Sequence, residues 1–269
     1  MDKKRAFRVA YNGRPFHGFQ RQPDVPTVED ALFDALRALD CLETAADSPT
    51  GYAAAGRTDA GVSAVAQTVA FETPAWLTPT ALNSELPDAV RAWAAADVAD
   101  DFHATHDAVR REYTYHCHAP TADIDRARKA IDRLAGEHDF HNLTSDPSGT
   151  VRDVTATVDP DGEFLIVTVA AGGFPRSFVR RFVSLVRSIA VGATPLDRID
   201  RVLLAEPLPG PQGVPAAPAY PLVLTTVEYP RIEFQRDDDA LADARDRFED
   251  RRLEHRTRDR VFTTMLDRF

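Results

Sequence analysis

The chain alternates between two kinds of hydrophobic spacing, and it does so twice. Period-two stretches predict strands over residues 5–11, 64–71 and 90–98, with Phe7, Val9 and Tyr11 along the first and Val65, Val69 and Phe71 along the second. Between the first two, Ala31, Leu32, Ala35, Leu36 and Leu39 recur at helical spacing behind Thr27-Val28-Glu29-Asp30, a helix start with Thr27 as its cap. Thr78 followed by Pro79 opens another helix over 79–86. The pattern then returns: a strand over 112–118, a helix over 123–134, and strands over 151–158 and 164–170 joined by the turn Asp159-Pro160-Asp161-Gly162. A buried helix over 178–191, a Pro/Gly-rich connection over 207–221 and a strand over 222–229 follow. Strand–helix–strand units alternating with hairpins in both halves predict an α+β protein with two related lobes.

Residues 231–269 break from this pattern. Asp237-Asp238-Asp239 leads into dense Arg, Asp and Glu, which predicts a solvated helix outside the core, with a dimer or RNA contact as the alternative. A chain of 269 residues that is 43% hydrophobic has ample volume for a core. No apolar run approaches the roughly 18–20 residues needed to span a bilayer, and residues 1–5 lead directly into a strand pattern without a signal-peptide core. A soluble cytoplasmic protein is the expectation. Cys41 and Cys117 are too few and too far apart for a disulfide framework or a metal knuckle. The histidines at 116, 118, 138 and 141 lack companions at ligand spacing, so no metal is assigned.

The formal net charge is −10, which by itself argues against nucleic acid as a partner. Lysine, however, occurs only at Lys3, Lys4 and Lys129, so nearly all of the 32 basic residues are arginines. Abundant Asp and Glu with scarce Lys fits adaptation to high salt, where charges are heavily screened, and a GC-rich genome would give the same arginine excess. An acidic exterior of that kind can coexist with an arginine-lined cleft suited to bidentate phosphate contact.

Four segments offer chemistry. Gly56-Arg57-Thr58-Asp59-Ala60-Gly61-Val62 presents a carboxylate between glycines that permit a tight loop and close approach of a ligand. A neighbouring arginine favours the ionised form, which makes the carboxylate usable as a nucleophile. Spacing alone favours a structural turn here, since Gly-x-x-Asp turns are common. Arg111-Glu112-Tyr113-Thr114-Tyr115 sets two tyrosines on one strand face, suited either to base stacking or to a sheet core. Phe174 to Val183 places Arg176 and Arg180 at the opening of an apolar helix, where they must meet an anion or face solvent. Phe19-Gln20-Arg21-Gln22-Pro23 is a polar loop suited to RNA backbone contact, or simply a surface loop.

In this order, and over residues 7–230, these segments resemble the tRNA pseudouridine synthase A family. The resemblance runs through Tyr11-Asn12-Gly13, Gly18-Phe19-Gln20-Arg21-Gln22, Thr27-Val28-Glu29, Ala55 to Val62, Gln67, Asp101-Phe102-His103-Ala104, the tyrosine strand, Phe178-Val179-Arg180 and Ala217-Pro218. It implies two ferredoxin-like (RRM-like) lobes over 1–105 and 106–230 with a continuous, mostly antiparallel sheet and a central RNA-binding cleft, followed by a charged helical extension over 231–269. It implies isomerisation of uridine to pseudouridine in the anticodon stem-loop of tRNA, at positions 38 to 40, by a homodimer without cofactor. Asp59 matches the nucleophile, Arg57 the motif arginine, Tyr113 the tyrosine against the base and Arg180 the arginine paired with the carboxylate. Phe19, Gln20, Arg21, Gln22, Arg176 and Phe178 are the expected RNA-binding residues. Ser63, Phe19, Asn12 and Thr105 stand where the family often has other residues, and Pro175 is unusual. The composition fits a member from a halophilic archaeon. Alternatives are another structured RNA as substrate, a non-catalytic tRNA-binding protein and, more distantly, a carboxylate hydrolase.

Overall fold

The computed structural model describes residues 2–208 and 213–269; part of the Pro/Gly-rich connection, 209–212, lies outside them. The first half runs β1 (Asp2–Tyr11), α1 (Val28–Ala38), β2 (Ala53–Ala54), β3 (Ser63–Pro74), α2 (Pro79–Asn83) and β4 (Val90–Asp97). The second runs β5 (Arg110–His118), α3 (Ile124–Leu134), β6 (Gly136–Asp139), β7 (Val151–Asp161), β8 (Phe164–Ala171), α4 (Phe178–Ala190), α5 (Arg198–Val202) and β9 (Leu222–Glu228). A short β10 (Gln235–Arg236) and the 29-residue α6 (Asp238–Leu266) close the chain.

All the strands join one open sheet in the order β10-β4-β1-β3-β9-β5-β8-β7-β6, with β2 also paired to β3. Within the first half the order is β4-β1-β3-β2, and within the second β9-β5-β8-β7. Each half therefore places its fourth strand beside its first and its third beside its second, the order of a ferredoxin-like split βαβ unit, with antiparallel neighbours. The halves meet at the parallel pair between β3 and β9, where Ser63 and Ala64 face Val223 and Leu224.

Local signals explain most element starts. Thr27 caps α1 by accepting from the Asp30 amide, and Thr78 caps α2 in the same way. Helix α1 buries Val28, Leu32, Phe33, Ala35 and Leu36 in the common core, and α4 buries Phe178, Phe182, Val183, Val186 and Ile189. Several details differ from the sequence reading. Strand β7 runs on through Pro160 to Asp161, so the hairpin reverses at Gly162 and Glu163, and Gly162 takes the positive φ that this tighter turn requires. The edge elements β2, β6 and β10 are too short to show periodicity.

The C-terminal helix is not wholly outside the core. Ala240 and Ala244 are buried where α6 packs on β4 and α2, Asp243 pairs with buried Arg91 at 2.7 Å, and Asp237 both caps α6 and accepts from Thr80. From Arg251 to the end the helix is mostly exposed, as its charge density predicts.

Candidate active site

The Asp59 loop leaves β2 on one part of the β3 edge and returns to β3 at Ser63, where β9 begins to pair. The topology thus delivers the loop to the seam between the halves. Its path is fixed from several sides. The Thr58 carbonyl accepts from Phe19 N at 3.1 Å, Gly61 N donates to Phe16 O at 3.3 Å, and Gln67 Nε2 donates to Gly56 O at 2.7 Å. Val62 N donates to Asp59 O at 3.1 Å, closing a turn in which Gly61 has φ +83°, a region that favours glycine. Gly13 is required by proximity, since a Cβ there would collide with the Val62 carbonyl.

Against this loop stands the start of α4. Arg180 Nη1 donates to Asp59 Oδ2 at 2.8 Å, and its Nε donates to Ala217 O at 2.7 Å. Ser177, at the helix start, holds a left-handed backbone (φ 57°, ψ 11°) and donates from Oγ to the same Asp59 Oδ2 at 3.2 Å. A non-glycine residue there carries strain. Both donors converge on Oδ2, and among the described residues no hydrogen bond reaches Oδ1. The cleft in front of the carboxylate is about 570 Å³ and is walled by Tyr113, Phe174, Leu222, Arg57, His17 and Asp146.

Tyr113 is buried beside Phe174, their rings meeting edge to face at 5.5 Å. Burial pushes the Tyr113 pKa up to about 12; the Arg111 charge opposes the rise and Asp59 adds to it. The phenol therefore remains a neutral donor through the neutral range. Beneath the loop, Tyr11 and Thr58 share a hydrogen bond of 2.8 Å between their hydroxyls, and burial holds the Tyr11 pKa above its usual range.

The structure places the expected site residues unequally. Asp59, Tyr113 and Arg180 converge. Arg57 lines the cleft and is exposed, but its guanidinium makes no ion pair with Asp59; the cation beside the carboxylate is Arg180, reached through tertiary structure. Gln20 and Gln22 line the cleft, although the Gln22 side chain is engaged with His17 O at 2.7 Å. Arg176 is exposed at the cleft, with its amide and guanidinium on Asp146.

Three of the expected RNA-binding residues are held mainly by other protein groups, although Phe19 and Phe178 border the cleft. Phe19 has no accessible surface and packs against Tyr11, its ring centroid 6.1 Å away, so it supports the loop from below. Phe178 is likewise fully buried, between Phe140, Phe174 and Phe182. Arg21 points away from the cleft, bound to Asp30 at 2.9 Å and to Asp47 O at 2.8 Å, over the Phe33 ring. Apolar burial outweighs surface contact for the two phenylalanines, and a nearby carboxylate captures the arginine. Ser177 and Phe174 lie in the segment picked out for its arginines, but neither is assigned a role from the sequence, because a left-handed serine and an edge-on ring have no linear signal.

A family model described as tRNA pseudouridine synthase matches residues 130–230. A protein of Haloarcula marismortui named tRNA pseudouridine synthase A is 56% identical, covering 98% of this chain and 99% of its own. A protein of the same name from Halobacterium salinarum is 58% identical over 96% of this chain and 97% of its own. Identity of that extent over full length decides the matter. The chain belongs to the tRNA pseudouridine synthase A family. A more distant member, from Methanosarcina barkeri, is 37% identical over 97% of this chain and 98% of its own. As a tRNA pseudouridine synthase A family member the chain is an isomerase, and its relatives at 56% and 58% identity come from halophilic archaea, in line with its arginine-for-lysine composition.

Proposed function

We propose that this protein isomerises uridine to pseudouridine in the anticodon stem-loop of tRNA, at positions 38 to 40, with Asp59 as nucleophile. The observation that carries this is the asymmetry of the carboxylate: Arg180 and Ser177 both hold Oδ2, among the described residues no hydrogen bond engages Oδ1, and Asp59 lines a cleft large enough for one nucleotide. The reaction breaks the bond between uracil N1 and the ribose C1′, turns the base and joins C5 to C1′. The C5 proton is given up and N1 gains one, so nothing is added or removed overall. The carboxylate acts by adding to the base or by holding the sugar centre while the base turns, and both roles need an ionised oxygen directed at the nucleotide. Arg180 supplies a positive charge in contact with the carboxylate, and Tyr113 and Phe174 supply the surface against which the uracil is held.

The target must leave its stack at a cost of a few kcal/mol, which phosphate contacts offset. Arg57 and Arg176, exposed on the cleft wall, are placed to make them. The lobes divide at 1–105 and 106–230, with 231–269 as an extension, and the protein works in the cytoplasm as a homodimer. In support of the dimer, Phe262, Met265 and Leu266 are exposed at the end of α6, with exposed Phe269 just past it, and at 3.6 residues per turn the three helical residues fall on the side that carries buried Ala240 and Ala244.

The test is to incubate an unmodified tRNA transcript with wild-type and D59A protein at molar salt and to map pseudouridine. Product at 38 to 40 with wild type alone is expected. Product from D59A would overturn the role of Asp59, product in a different RNA would reassign the substrate, and tight binding without product would make this a binding protein.

A further inference from the structure

Arg111 is buried behind the site, and among the described residues no carboxylate pairs with it. Its guanidinium is satisfied by peptide carbonyls instead. Nε and Nη2 donate to Ala55 O at 3.1 and 2.8 Å, and Nη2 also reaches Thr105 O at 2.6 Å. Nη1 donates to Gly172 O at 2.5 Å, with Ala108 O farther off at 3.5 Å. A buried cation is tolerable only when its donors are met, and here four carbonyls meet them.

Those carbonyls belong to separate parts of the site. Ala55 follows β2 and opens the loop that carries Asp59. Gly172 follows β8 and opens the segment that carries Phe174 and Ser177 into α4 and Arg180. Thr105 and Ala108 lie in the connection from β4 to β5. Arg111 itself sits two residues before Tyr113 on the same buried face of β5.

We propose that Arg111 is a positioning residue for the isomerisation. It ties the base of the Asp59 loop to the base of the Ser177–Arg180 segment and refers both to the strand that holds Tyr113. This rests on the pseudouridylation reading above. The Asp59–Arg180 contact joins the far ends of two excursions from the sheet, and a tie at their roots sets the spacing between them. Lysine cannot replace it, because one ammonium presents three donors from a single point, whereas the planar fork reaches several acceptors at once.

The test compares R111K with R8K. Arg8 is a second partly buried arginine, bonded to Ala66 O, Thr68 Oγ1 and Val227 O and stacked on Phe234, and it joins the two halves without touching either loop. For each folded variant the tRNA Kd and the single-turnover rate of pseudouridine formation are measured at saturating enzyme. R111K is expected to lose roughly tenfold to a hundredfold in rate, with Kd within about threefold of wild type, as small misplacements of reacting groups do. R8K is expected to melt earlier but to turn over at the wild-type rate. Should R111K fail to fold, R111Q takes its place. Equal rate losses in both, a loss confined to Kd, or failure of both Arg111 variants to fold while R8K folds would overturn the proposal. An inactive wild-type protein would instead overturn the pseudouridylation reading.

Discussion

Asp59 and Arg180 meet at 2.8 Å across 121 residues of chain. The carboxylate comes from a loop at the seam of the sheet and the guanidinium from the first turn of α4, with Arg180 also anchored on Ala217 O. Replacing Arg180 with alanine removes the principal donor to Oδ2 and leaves Ser177 alone. The single-turnover rate should fall by roughly 10²–10³, the scale of losing a preorganised charge-stabilising donor. S177A, losing only the longer bond, should cost less than R180A. A rate measurement on both variants with matched tRNA affinity checks the order.

Tyr113 has its pKa pushed up to about 12 by burial, with Arg111 opposing and Asp59 adding. The pH–rate profile should therefore show no loss from tyrosine ionisation between pH ~7 and ~10, and Y113F should lower the profile without moving its alkaline limb in that range. Tyr115 and Tyr229, also buried, are pushed up to about 12 by the same cause. A folded pKa above the unfolded one stabilises fully below the unfolded value and is lost as pH rises through the folded value. Stability should accordingly decline between about pH 10 and 12, as read by Tm against pH, and Y229F should blunt the decline.

Arg57 is exposed on the cleft, and among the described residues it forms no ion pair with a carboxylate. R57A should weaken tRNA binding and lower the salt slope of log Kd by about one, the signature of a lost phosphate contact. The rate at saturation should change less than in R180A. A titration at several salt concentrations separates this from loss of an Asp59 partner, which would leave the slope unaltered.

Phe19 and Phe178 are fully buried. Each alanine variant should lose about 3–5 kcal/mol of stability, the scale of emptying an aromatic core site. Affinity for tRNA, measured on the folded protein, should stay near wild type. A selective loss of affinity with unchanged Tm would instead support the direct RNA contacts that the family resemblance implies.

Truncation after Arg256 removes the exposed Phe262, Met265, Leu266 and Phe269 but keeps Asp237, Asp243, Ala240 and Ala244, which dock α6 on the body. The truncated chain should fold with little change in Tm but sediment as a monomer. A dimer of undiminished strength would place the subunit contact elsewhere.

What the sequence determined by itself is local or repetitive. Alternation every two residues, helical spacing, and threonine caps at Thr27 and Thr78 act within a few residues, so they mark strands and helices wherever the chain goes. The recurrence of the pattern predicted two related halves, and the Gly-bounded motif predicted that Asp59 would be presented on a tight loop. Tertiary structure decided which groups meet. Asp59 finds its cation in Arg180 and not in adjacent Arg57, because a tight turn directs neighbouring side chains apart while the β3–β9 seam brings distant ones together. It buried Phe19 and Phe178, turned Arg21 onto Asp30, and closed four carbonyls around Arg111. Each of those outcomes depends on what occupies the space across the sheet, which linear spacing does not encode.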